Sequence, residues 1–86
     1  MPEISRFYGI VIRMHIDEHN PPHFHAKYGN KEVVVSIAGP GILSGKFPPQ
    51  AIRLVLRWAK LHQGELLQNW KNLRSGCPAM KIKPLE

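Results

Sequence analysis

Four histidines, His15, His19, His23 and His25, fall in the stretch His15–Tyr28, with Asp17 and Glu18 among them. The spacing is His-x3-His-x3-His-x-His. Imidazole gains and loses a proton near neutrality and is also a common metal ligand. Core packing alone does not ask for so many. Three chemistries compete for them. The first is a metal site. Zinc takes three or four N, S or O ligands, and His15, His23 and His25 with Asp17 or His19 could supply them. No cysteine pair and no His-Glu-x-x-His pattern accompanies them, so no cofactor is expected and zinc at His15, His23 and His25 is only a weak alternative. The second is general acid–base work such as RNA cleavage. There His23 and His25 would move protons, and Arg13 and Lys27 would hold the charge of a phosphorane-like state. The third is structural, with the imidazoles fixing a hairpin through backbone hydrogen bonds.

Positioning such groups falls to the flanking elements. Arg6 to Ile16 alternates as a strand, with Ile10, Ile12, Met14 and Ile16 on one face. Gly9 inside it signals a bulge or a close backbone approach. Asp17 to Pro22 reads as a hairpin loop. His23 to Tyr28 is the returning strand, with Phe24, Ala26 and Tyr28 on one face and His23, His25 and Lys27 on the other. Gly29-Asn30 is a short turn. Lys31 to Ala38 is the third strand, sending Val33, Val35 and Ile37 to the core, and Ile42 to Phe47 is a short fourth strand. Arg13, His15, His23, His25 and Lys27 are then expected to share the open face of a sheet, His23 and His25 carrying more of the function than His15 or His62.

Pro48-Pro49 opens a helix. Its apolar face runs from Ala51 to Leu61, and Arg53, Arg57 and Lys60 form a basic stripe. Gly64 reads as a left-handed cap, and Glu65 to Arg74 continues in helical register, as one kinked helix or as two short ones. Gly76 and Pro78 end the helical part. The expected architecture is α+β: an antiparallel meander of three or four strands (1–47), packed on one face by C-terminal helices (48–76). A tail (77–86) adds an edge strand or stays loose. The expected core joins Ile10, Ile12, Met14, Phe24, Val33, Val35, Leu54, Val55, Trp58 and Trp70. Trp58 and Trp70 read as packing residues, and His62 as a structural residue near a helix end.

With 86 residues and 43% hydrophobic content, the chain reads as a single domain, 1–86. Cys77 is the only cysteine, so no internal disulfide is possible and a reducing, cytoplasmic setting is expected. Nothing near the start has the order of a signal peptide, and no apolar run suits a membrane span. The formal charge is +6 and uneven, with seven Lys/Arg against two Asp/Glu in residues 48–86. Such a basic half can attract nucleic acid or an acidic partner.

Residues 4–14, the string His-Asn-Pro-Pro-His-Phe-His-Ala-Lys-Tyr-Gly at 19–29, Gly-Lys-Phe-Pro-Pro-Gln-Ala at 45–51 and the helical pattern of Leu66, Leu67 and Trp70 resemble a small bacterial family. It is a domain of unknown function with a Pro-Pro-His-Phe-His signature, often encoded beside another short protein in pairs like type II toxin–antitoxin modules. The resemblance implies a prokaryotic cytosolic protein acting with a small cognate protein encoded nearby, as the toxin-like half. It marks His19, Pro21, Pro22, His23, Phe24 and His25 as a functional surface. Some members carry an aromatic residue in place of His15.

Two functions follow. The leading one is the toxin-like half of such a module, binding its cognate protein and acting on RNA or on translation, with ribonuclease-type chemistry open. The alternative is a non-catalytic nucleic-acid-binding or regulatory module, whose phosphate contacts would be Arg53, Arg57 and Lys60. No clear recognition helix supports that alternative.

Overall fold

Five strands form one antiparallel meander, β1 (Glu3–Phe7), β2 (Ile10–Arg13), β3 (His23–Tyr28), β4 (Lys31–Ser36) and β5 (Gly41–Gly45), each paired with its sequence neighbour. Helices α1 (Pro49–Leu61) and α2 (Gln63–Arg74) follow. The structure is a computed structural model and describes residues 3–15 and 19–86. Ile16, Asp17 and Glu18, assigned above to a strand end and a loop, lie outside the described residues, as do Met1 and Pro2. The architecture is the α+β meander with C-terminal helices that the sequence predicts, with one strand more.

The extra strand comes from Tyr8-Gly9. Both take positive φ, 50° and 79°, and Phe7 pairs with Ile10 across them. This is the two-residue hairpin turn whose twist suits the flanking strands. Tyrosine is not a usual residue at such a turn, so the run from Arg6 reads as one strand in the sequence. The close approach expected at Gly9 is present: a Cβ there would lie 3.2 Å from the Tyr28 ring.

Alternation along β2, β3 and β4 buries Ile10, Ile12, Phe24, Ala26, Val33 and Val35 against the helices. Nine of the ten expected core residues are buried; Leu54 is half-buried and packs against the rest. Trp58 sits at the centre, fully buried, with Phe7 at 5.3 Å and Phe24 at 5.7 Å between ring centroids.

The helical part is two helices, with the break at His62 (φ −120°, ψ 27°). Gly64 does not take the left-handed cap expected of it; it lies in the first turn of α2. The α2 N-terminus is held instead by Gln63 Nε2, which donates to the Ile37 carbonyl at 2.8 Å. Gly76 takes the left-handed position, at φ 81°. Cys77 N–H donates to the Asn72 carbonyl at 2.7 Å and Gly76 N–H to that of Leu73 at 3.2 Å, the paired bonds of a Schellman ending.

The tail is neither a strand nor loose. Ile82 N–H donates to the Ile4 carbonyl at 2.7 Å, Trp58 Nε1 donates to the Lys83 carbonyl at 2.9 Å, and buried Asn69 exchanges two bonds with Met80.

Gly45 is required where the end of β5 pairs with Val33 of β4. Its φ is 93°, and a Cβ there would overlap the Glu32 carbonyl oxygen and come within 2.8 Å of Val33 Cα. Backbone cannot yield as a flexible side chain can. Gly45→Ala should therefore cost about 2–4 kcal/mol, from positive-φ strain plus overpacking. An unchanged urea midpoint would contradict the close approach.

Candidate acid–base site

The open face of the sheet is built by register. Arg13 lies opposite His25, Val11 opposite Lys27, and Lys27 opposite Glu32. The side-chain period of two then sends these residues to the face that the helices leave uncovered. Together with His15 they line a shallow cavity of about 40 Å³.

His25 is the residue most firmly oriented there. Its Nδ1 lies 3.0 Å from Glu32 Oε2. A carboxylate only accepts, so Nδ1 carries the proton and donates it. In the neutral ring the lone pair is then on Nε2. The His25 side chain is 16% exposed and that of Glu32 52%, so the pair is reached from solvent at its edge. The His15 ring stands edge-on to His25, 4.0 Å between centroids.

Glu32 is not among the site residues that the sequence predicts, although the hairpin register carries a signal for it. A two-residue turn at Gly29-Asn30 fixes Tyr28 opposite Lys31, hence Lys27 opposite Glu32, and places His25 diagonal to it. Diagonal neighbours of this kind are within reach of long side chains.

His23 departs from the expected open position. It is only 9% exposed, and its ring packs on Trp70 of α2 at 5.1 Å between centroids. Its Nδ1 donates to the Pro21 carbonyl at 2.7 Å. It remains 5.5 Å from His25 but does not line the cavity. The physical reason is its place: it is the first residue of β3, at the end of the sheet that α2 reaches. Trp70 thus does more than pack the core, since it backs the histidine cluster, with Arg74 at 5.7 Å over its ring.

The Pro-Pro-His-Phe-His segment behaves largely as a support. Phe24 is fully buried rather than part of a surface. The Pro22 carbonyl accepts from Ile37 N–H at 3.0 Å, so the segment is tied to the chain after β4. His19 and Pro21 are exposed and Pro22 half-buried. Restricting the backbone before β3 and anchoring Phe24 beneath it fixes the direction of the His25 side chain.

Arg53, Arg57 and Lys60 are all exposed on α1, and none lines the histidine cavity. His62 sits between the helices, its Nδ1 donating to Glu65 at 2.7 Å and its ring 5.6 Å from that of Trp58. Cys77 is exposed. Among the described residues, no group of three or more His, Cys, Asp or Glu side chains is placed to hold a metal ion. Asp17, a candidate zinc ligand, lies outside them. Among the same residues no helix is long and apolar enough to cross a membrane.

No curated protein and no solved structure matches the chain. A protein family does, over residues 9–71, a span that takes in the cavity, the signature segment and Trp70. By that match the chain belongs to the family described as a domain of unknown function, DUF4160.

Proposed function

We propose that the protein is the toxin-like half of a prokaryotic type II toxin–antitoxin-like module, working in the cytoplasm and bound by a small cognate protein. Its target is RNA, and its chemistry is acid–base chemistry at His25. One observation carries this: an imidazole with Nδ1 held by Glu32, set between Arg13 and Lys27 on an open sheet face. A positioned base flanked by two cations suits a phosphate group. Size narrows the substrate further. The cavity of about 40 Å³ is far below the roughly 300–1,000 Å³ of pockets that enclose small molecules. It has room to grip one group of a larger chain that lies across the sheet. The alternative, a non-catalytic nucleic-acid-binding or regulatory module, draws on the exposed Arg53, Arg57 and Lys60 and requires binding without cleavage.

The test is induced expression with and without the gene encoded beside it. Growth arrest that the neighbouring product relieves is the expected result. Harmless expression of soluble protein at high level would count against the toxin assignment.

A further inference from the structure

Among the described residues, the cavity lining, Val11, Arg13, His15, His25, Lys27 and Glu32, offers a base and two cations but no hydroxyl and no thiol to attack phosphorus. With the Glu32 carboxylate bonded to the His25 ring, the attacking oxygen is taken from water or from the substrate itself. A nucleophile already tethered beside the phosphorus has an effective molarity of about 10⁵–10⁸ M, an advantage free water lacks. RNA carries such a group, the ribose 2′-hydroxyl next to each phosphodiester.

A second observation restricts the mechanism. The His15 and His25 rings are in contact, 4.0 Å between centroids. A phosphate does not fit between two touching rings, so they do not flank it as an opposed base and acid. Buried His23, its ring tilted against Trp70, does not line the cavity. One imidazole therefore works from one side, and Glu32 orients the His25 ring for that task.

Resting on the reading of this cavity as an RNA-processing site, we infer that it cleaves RNA by transphosphorylation through the 2′-hydroxyl, with His25 as the base and Glu32 as its positioning residue. His25 Nε2 takes the 2′-hydroxyl proton. The 2′-oxygen–phosphorus bond forms and the phosphorus–5′-oxygen bond breaks. The departing 5′-oxygen takes a proton from water, and His25 returns its own proton to solvent. Arg13 and Lys27 hold the charge on the non-bridging oxygens. The products are a 2′,3′-cyclic phosphate and a 5′-hydroxyl. DNA, which lacks the 2′-hydroxyl, binds but is not cut.

The experiment uses the full chain and two end-labelled oligonucleotides of one mixed sequence, all-ribose and all-2′-deoxy. The ribose strand should be cut to cyclic-phosphate ends, and the deoxy strand at least about 100-fold more slowly while still binding. Equal cleavage of both, or a first product ending in a monophosphate, overturns the 2′-hydroxyl route and leaves the RNA-processing reading standing. Cleavage of neither overturns both. Glu32→Gln tests the positioning role: kcat should fall about tenfold or more with KM unchanged, because only the transition-state interaction is lost. The melting temperature should hold, since the pair is partly solvent-exposed. An unchanged kcat in Glu32→Gln overturns that role.

Discussion

Trp58→Ala should destabilise the protein by about 3–5 kcal/mol, the range for deleting a fully buried large aromatic. Whole domains are stable by only about 5–15 kcal/mol, and one of this size sits toward the low end. The variant should therefore be largely unfolded or nearly so. The expected loss has three sources. The ring packs against Phe7 and Phe24, which tie β1 and β3 to α1. Its removal leaves a cavity in the core that joins the sheet to the helices. It also leaves the Lys83 carbonyl without the indole N–H that now satisfies it, so the tail loses one of its ties. Thermal or urea unfolding reads the effect, and an unchanged midpoint would show that the core is organised around something else.

The second large effect separates two histidines that the sequence treats alike. His25→Ala should lower activity about 100- to 10,000-fold, the usual worth of a positioned acid–base group. Its stability should change little, because the Glu32 carboxylate that it bonds is half exposed to solvent. His23→Ala should do the reverse. It removes a buried ring from Trp70 and leaves the Pro21 carbonyl unsatisfied, at a cost of about 1–3 kcal/mol. Any loss of activity in His23→Ala should then follow from that destabilisation and recover on cooling. Melting curves and activity measured on both variants give the pattern. Equal losses of activity at equal stability would put His23 back among the catalytic groups.

Much of this arrangement was legible in the chain. The alternation of Ile10, Ile12 and Met14, then Phe24 and Ala26, then Val33 and Val35 has a period of two and one apolar face, so it fixes both strand identity and orientation. From that orientation Arg13, His25 and Lys27 fall on one open face without further information. Three things were harder to read. The Tyr8-Gly9 turn lacks the usual Asn or Asp, and both flanking segments are strand-like, so two strands look like one. Gly64 looks like a helix cap by residue type, yet the break falls two residues earlier, at His62, where Gln63 bonds the Ile37 carbonyl. The exposure of His23 is decided by Trp70, 47 positions away in the chain, and no local pattern reports such a contact. Glu32 belongs to a different class: the hairpin register places it diagonal to His25, and nothing in its residue type marks it as the partner of that ring.

The sharpest single measurement is growth after induction of the wild-type chain or of His25→Ala, at matched soluble levels and with melting curves of both. The wild type should arrest growth, and the folded His25→Ala protein should not. A folded His25→Ala protein that arrests growth as fast as the wild type would contradict an acid–base site at this histidine.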